Sequence, residues 1–168
     1  MSATAARLLR RFTDADVPRL LGILGEEGHR MLHPSTPDSV RAWLRSSDDL
    51  FALVDRDEEL LGSIHLKVDR ERKSAELGFV IAREVEGCGH ATAGVRMVIP
   101  YGFKVLGLSR IRARAPAGNG RALRVLQKNG FIPELVESVE ANGDGTPVAM
   151  CSFLLLRESW IRANGAIS

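Results

Sequence analysis

The sequence has few cysteines, few aromatic residues, no long apolar run and little net charge. Cys88 and Cys151 are the two cysteines among 168 residues, and they lie far apart with no CxxC pair, so we expect neither a disulfide framework nor a thiolate metal site. Apolar runs such as 153–156 are far shorter than the ~20 residues that span a bilayer. The net charge of +2 and the 5% of aromatic residues are too small to indicate nucleic-acid binding. We therefore predict a cytoplasmic protein with neither a membrane nor a nucleic acid as partner.

The composition itself is that of a folded globular chain. Hydrophobic residues make up 45% and charged residues 26%, with 16 glycines and 7 prolines. A chain of this length usually forms one domain with one core. We predict a single domain over residues 1–168, in which residues 158–168 form a C-terminal tail.

The hydrophobic periodicity predicts the order strand, two helices, three strands, helix, strand, helix, two strands. Thr13 and Asp16 have the spacing of a capping box before the first helix, and Thr36-Pro37 is a typical start for the second. Pro100 lies within the third helix and should kink it. Each amphipathic helix must bury its apolar side against a sheet, so we expect an α/β fold with one mixed sheet covered by helices.

A glycine turn connects the strand at 74–81 to the third helix. Gly87-Cys88-Gly89 brings closely spaced backbone N–H groups to a helix N-terminus, which suits a pyrophosphate. Glycines in such a turn are also explained by tight backbone geometry alone. The dinucleotide pattern GxGxxG fails, because Thr92 stands where the third glycine would be.

Several motifs in order resemble one family. They are Glu76-Leu77-Gly78-Phe79-Val80-Ile81, Gly87-x-Gly89-x-Ala91-Thr92, Gly102-Phe103, Leu106-Gly107-Leu108 and the segment from Asn119 to Phe131. Together they resemble the GNAT superfamily of acetyl-CoA-dependent N-acetyltransferases, most closely the subgroup of ribosomal-protein N-terminal acetyltransferases. The resemblance implies a mostly antiparallel, twisted sheet of about seven strands flanked by about four helices. It also implies acetyl-CoA as cosubstrate and no metal.

The resemblance assigns cofactor contacts to three places. Backbone amides of the glycine turn would hold the CoA pyrophosphate, namely those of Val85, Glu86, Gly87, Cys88, Gly89, His90 and Ala91. Phe79, Val80 and Ile81 would pair with the pantetheine arm like an added strand. Asn119 and Lys128 would also contact the cofactor. The plainer alternatives are that Asn119 caps its helix and that Lys128 is solvated surface.

Two departures from the family pattern affect this assignment. Glu84 and Glu86 stand where Gln or Arg is common, and carboxylates near a pyrophosphate weaken binding unless they point away. We expect compensation from Arg83, Arg121 or Arg124. Ala122 and Leu126 replace the usual Ser and Tyr, so the standard general acids are missing.

Glu76 is the candidate catalytic base. An attacking amine must lose a proton, and the resemblance places many family bases on the strand that contains Glu76. The alternative is an exposed strand carboxylate without a catalytic role.

The other polar candidates have plainer explanations. His29 and His33 are read as loop residues at the acceptor entrance rather than metal ligands. An acceptor site between the first two helices and the final hairpin would use Glu26, Glu27 and Asp144 to attract a cation. A row of arginines on one strand, Arg110, Arg112 and Arg114, is expected to face a cofactor phosphate or acidic neighbours. Trp160 and Ile161 either seal a homodimer or pack back on the sheet.

The predicted function is therefore transfer of acetyl from acetyl-CoA to a primary amine, by direct attack. The acceptor stays open between a peptide or protein N-terminus and a small-molecule amine. The missing acids and the acidic turn leave two alternatives: a CoA-binding sensor without turnover, and an interaction protein that binds no CoA.

Overall fold

The computed structural model describes residues 8–26, 34–46, 49–141 and 145–165. These residues form seven strands: β1 Leu8–Arg10, β2 Leu50–Val54, β3 Leu60–Asp69, β4 Ser74–Ile81, β5 Arg110–Pro116, β6 Ile132–Ala141 and β7 Thr146–Leu156. They also form five α-helices: α1 Val17–Leu24, α2 Pro37–Ser46, α3 His90–Pro100, α4 Gly120–Lys128 and α5 Arg157–Asn164. The predicted order of elements is confirmed from β1 to β7.

The seven strands form one mixed sheet in the order β1-β2-β3-β4-β5-β7-β6. β4 and β5 run parallel, with Ser74 opposite Arg110 and Leu77 opposite Ala113. The pairs β1–β2, β2–β3, β5–β7 and β6–β7 are antiparallel. The prediction of a mostly antiparallel α/β sheet of about seven strands is thus confirmed.

The described chain divides into two compact units, and β3, β4 and α3 each contribute residues to both. The first unit contains the described residues up to His65 together with Phe79–Met97. Its core is formed by one side of α1, by Val40 of α2 and by the adjoining strand residues, and the α1 contribution is Val17, Leu20, Ile23 and Leu24. This i, i+3, i+4 spacing is what makes α1 amphipathic, and it buries the helix on one side.

The second unit contains Leu66–Gly78 and the described residues from Val98 onward. Alternate residues of β5 are buried, beginning with Ile111, while the arginines between them face outward. Gly102 packs closely here, since a Cβ at this position would lie 3.1 Å from Ile111 Cδ1. The second unit therefore has an alternating strand at its centre, as the sequence pattern predicts.

Two features after Met97 add detail to the predicted fold. Residues 157–164, at the start of the expected tail, form α5, so the described residues contain five α-helices where about four were expected. The Trp160 ring packs on Phe103, with ring centroids 5.5 Å apart, and this contact holds α5 in place.

Directly after Pro100 the chain changes to a π-helical turn, Tyr101–Val105, in which the Leu106 N–H donates to the Tyr101 carbonyl. Proline removes one α-helical hydrogen bond, and the π turn is how the chain continues beyond it.

Among the described residues, the longest apolar helix is still too short to cross a membrane. The prediction of one domain over residues 1–168 stays a prediction.

Candidate active site

The glycine turn of the first unit lies between β4 and α3, as predicted. A short 3-10 turn, Arg83–Val85, leads into Gly87 and Gly89, whose φ angles of 76° and 81° lie in the left-handed region. Side chains disfavour these angles, so both glycines are required by the backbone path. The N–H groups of Val85 and Glu86 donate to the carbonyls of Ala82 and Arg83 at 3.0 and 3.3 Å. These two amides take part in the turn itself, and the phosphate contacts predicted for residues 85–91 stay a prediction.

The α1 segment, which we define as α1 with the two residues that follow it, contacts Arg83 and Glu84 at the start of this turn. Arg19 of α1 donates a hydrogen bond to Glu84, and the two side chains form an ion pair. This hydrogen bond lowers the pKa of the Glu84 carboxyl below its ordinary value. Just after α1, Glu26 Oε2 accepts a hydrogen bond from the Arg83 backbone N–H at 2.9 Å. Glu84 is thus paired with Arg19 and not with the arginines that we expected to compensate it.

The strand β4 contains the residues predicted to bind the pantetheine arm. The described ladder between β4 and β5 ends at Leu77 and Ala113, and β4 continues through Phe79, Val80 and Ile81. A Cβ at Gly62 would lie 2.1 Å from the Val80 carbonyl oxygen, so a glycine is needed where β3 passes this part of β4. The backbone at Val80 and Ile81 is therefore closely packed against β3.

Glu76, the predicted base, lies on the part of β4 that belongs to the second unit. The Arg114 guanidinium contacts Glu76 Oε1 through Nη2 at 3.1 Å and through Nε at 3.3 Å. Both side chains are about half exposed. The neighbouring Arg112 lies 3.8 Å from a carboxylate oxygen of Glu134 on β6. The acidic neighbours expected for the arginine row are thus present for Arg112 and Arg114.

The helix α4 contains the other two predicted cofactor contacts. Asn119 caps this helix, because its Oδ1 accepts a hydrogen bond from the Ala122 N–H at 3.2 Å. Lys128 is exposed in the last turn, and Leu126 is fully buried in the core. The capping role is confirmed for Asn119. A cofactor contact by Asn119 or Lys128 stays a prediction.

The remaining candidates are placed as follows. Cys88 is exposed in the glycine turn, and its thiol lies 3.7 Å from the Glu86 carbonyl oxygen. His65 meets the Trp43 ring edge-on, at 5.7 Å between centroids. Within the described ranges, no cluster of three or more His, Cys, Asp or Glu residues is arranged to hold a metal ion. Glu27, His29, His33 and Asp144 lie outside the described residues.

The sequence analysis missed Arg19 and did not foresee the tether formed by Glu26. Arg19 is 65 residues before Glu84, and Glu26 is 57 residues before Arg83. No spacing rule connects positions so far apart. The one signal in the sequence was a carboxylate at position 84, in a turn expected to bind a diphosphate, which indicates that a cation should lie nearby.

The sequence of this chain matches known acetyltransferases. The family model described as an acetyltransferase (GNAT) domain matches residues 7–132. A Bacillus subtilis (strain 168) protein named "Putative ribosomal N-acetyltransferase YdaF" is 31% identical over 137 residues, which cover 76% of this chain and 75% of that protein. The spermidine N(1)-acetyltransferase of Vibrio cholerae is 30% identical over 96 residues, which cover 55% of this chain and 56% of that enzyme.

Solved structures share the fold of this chain as well. A solved acetyltransferase (GNAT family) from Bacillus anthracis superposes with a TM-score of 0.81 at 20% identity, covering 92% of this chain and 97% of that one. At 20% identity this match shows that the two chains share a fold. The chain belongs to the GNAT family and is an acetyl-CoA-dependent N-acetyltransferase.

Proposed function

We propose that this enzyme acetylates the N-terminal amine of a polypeptide, with the glycine turn as its acetyl-CoA site. The observation that supports this acceptor is the match to YdaF, which covers three quarters of both chains and whose name refers to a ribosomal acceptor. The spermidine acetyltransferase supports a polyamine as the second candidate, over a shorter segment. Both acceptors are primary amines, so the chemistry at the acetyl group is the same.

Three features of the turn suit the diphosphate of acetyl-CoA. Gly87 and Gly89 have left-handed backbone angles, which let consecutive N–H groups point to one side. The turn leads into α3, an eleven-residue helix whose dipole favours an anion at its N-terminus. The Glu84 carboxylate is bound to Arg19, so it is engaged elsewhere. We assign the diphosphate to the amides of residues 87–91 and the pantetheine arm to Phe79–Ile81.

Acetyl-CoA supplies an activated thioester, and the amine attacks its carbonyl carbon directly as the CoA thiolate leaves. A thiol with a pKa near ~8.5 is a tolerable leaving group, so the enzyme can work without the usual acid. Leu126 cannot take the place of that acid, because its side chain is a hydrocarbon, and it is buried in the core. Backbone amides polarise the carbonyl in this proposal, and no covalent enzyme intermediate forms.

Glu76 accepts the amine proton in this proposal, through a water molecule. Arg114 donates both of its hydrogen bonds to Oε1, which orients the carboxylate. We therefore assign the proton transfer to Oε2. Arg114 acts as the positioning residue of this base.

The first experiment titrates the purified protein with acetyl-CoA by calorimetry and then measures CoA release with peptides of free N-terminus and with spermidine. Release with peptides supports the proposal. Release with spermidine alone replaces the acceptor class and leaves acetyl transfer in place. Binding without release for either amine favours the sensor, and no binding removes the turn as the acetyl-CoA site.

The base is tested with Glu76→Gln, which keeps the shape of the side chain. We expect a loss of about 10²-fold or more in kcat/KM, the lower end of what a general base contributes. Glu134→Gln is the matched control, because Glu134 contacts Arg112 on the same strand as Arg114. A Glu76→Gln enzyme with an undiminished rate across the pH range would show that Glu76 has no catalytic role.

A further inference from the structure

The first two residues of the glycine turn are held by the α1 segment at two points. Arg19 engages the Glu84 side chain, and Glu26 accepts the hydrogen bond of the Arg83 N–H at 2.9 Å. All four residues belong to the first unit. The turn is thus bound to α1 and to Glu26 just after it, which precede the turn by more than fifty residues in the chain.

The negative charge of Glu84 is unfavourable in a turn that binds a diphosphate. Glu84 lies three residues before Gly87, and a glutamate carboxyl is ionised at neutral pH at its ordinary pKa. The Arg19 hydrogen bond lowers the pKa of Glu84 further and so favours the charged form. Like charges at short range repel each other, and the repulsion grows as the local dielectric falls. A negative charge at this position therefore opposes the negative charge of the ligand unless a cation neutralises it.

We propose that Arg19 is a positioning residue for acetyl-CoA, which neutralises Glu84 and turns its carboxylate toward α1 so that the diphosphate can bind at residues 87–91. This inference rests on the proposed function, in which the turn is the acetyl-CoA site. Arg19 acts through Glu84 and does not itself contact the ligand. The consequence is that the affinity for acetyl-CoA depends on the net charge of the Arg19–Glu84 pair.

A charge cycle tests this dependence. Full-length protein is titrated calorimetrically with acetyl-CoA as wild type, Arg19→Ala, Arg19→Lys, Glu84→Gln and the double variant Arg19→Ala/Glu84→Gln. We expect Arg19→Ala to bind about threefold to tenfold more weakly, where tenfold corresponds to about 1.4 kcal/mol. Arg19→Lys keeps the charge and should bind as wild type does. Glu84→Gln should bind equally or more tightly, and the double variant should return to the wild-type affinity.

Salt dependence separates this electrostatic role from a structural one. Raising the salt from about 0.1 M to about 1 M shortens the Debye length from about 10 Å to about 3 Å. The affinity difference between wild type and Arg19→Ala should therefore shrink at high salt. Arg41→Ala is the matched control, because Arg41 forms an ion pair with Asp38 and its side chain is 42% exposed, against 41% for Arg19. We expect its affinity for acetyl-CoA to equal that of the wild type.

Two results would overturn the inference. Equal binding by wild type and Arg19→Ala would show that the pair has no influence on the ligand. Equally weak binding by Arg19→Ala and the double variant would show that Arg19 contacts the ligand directly. Arg19→Gln replaces Arg19→Ala in the cycle where the alanine variant does not fold. Absence of binding by the wild type is a different failure, since it removes the proposed site and not the role of Arg19 alone.

Discussion

Two ion pairs near α1 have the same chemistry and different surroundings. Before the helix, the Arg10 guanidinium binds both carboxylate oxygens of Asp16, at 2.8 and 2.9 Å, and the Thr13 N–H donates to the same carboxylate at 2.8 Å. From within the helix, Arg19 binds Glu84 at the surface. The Asp16 side chain is 9% exposed and that of Glu84 is 53% exposed.

This difference in burial decides what each pair does. A buried carboxylate that loses its partners leaves polar groups unsatisfied, which is costly. An exposed pair is solvated in either state and contributes between about 0 and 1 kcal/mol to stability. The Arg10–Asp16 pair therefore stabilises the entry into α1, whereas the Arg19–Glu84 pair adjusts the charge beside the glycine turn.

The largest effect on stability is expected from Asp16→Asn. The amide loses the charge that binds Arg10 and can no longer accept every hydrogen bond that the carboxylate accepts, so the free energy of unfolding should fall by about 1.5–3 kcal/mol. Urea denaturation followed by circular dichroism measures the change. Asp38→Asn is the control, since Asp38 forms an exposed pair with Arg41 and should change stability by less than about 1 kcal/mol. Equal losses in the two variants would contradict the distinction drawn from burial.

The pH dependence of stability should reveal the same carboxylate. The hydrogen bond from Arg10 lowers the pKa of Asp16, against the opposing effect of burial. The folded state therefore binds this proton less readily than the unfolded state, and its stabilising effect is complete above the unfolded value of ~3.9. The stability difference between wild type and Asp16→Asn should decline as the pH falls below about 4, through the lower folded pKa. A difference that is constant to the most acidic pH tested would assign the effect to packing.

The smallest effect on stability is expected from exchanging the two charges of the exposed pair. The double variant Arg19→Glu/Glu84→Arg keeps the pair neutral, so unfolding should change by less than about 1 kcal/mol and acetyl-CoA should still bind. Arg19→Glu alone places two carboxylates beside the turn and should bind acetyl-CoA more weakly than any other variant at this pair. Calorimetry and thermal denaturation of both proteins provide the two readouts. Weak binding by the exchanged pair would mean that the identity of residue 19, and not the net charge, controls the ligand.

The local features of this fold follow from residues close together in the chain. Thr13 and Asp16 are three residues apart, and their predicted capping contact is present at the 3-10 turn Asp14–Asp16 that leads into α1. The alternating sequence of β5 likewise predicts that its three arginines share one face of the strand. In the structure they face outward, and the residues between them are buried. These predictions succeed because helical and strand periods operate over a few residues.

Two features were not settled by the sequence pattern, for physical reasons. α5 is short and polar, so its sequence carries little periodicity, and the packing of Trp160 on Phe103 supports it from 57 residues away. Asn119 matched a family motif, yet the same residue type also caps helices, and the structure shows the cap. A motif alone does not separate these two uses of one side chain.

The sequence by itself determined the order of the elements, the glycine turn before α3 and the family, because each depends on short patterns of residues. It also showed that Glu84 is unusual in such a turn. Only the tertiary structure decided that Arg19 neutralises Glu84 and that Arg114 orients Glu76, since these partners are 65 and 38 residues apart. Which cation reaches a carboxylate depends on how the folded chain returns on itself, and that path is set by the packing of α1 on its core and by the pairing of β4 with β5.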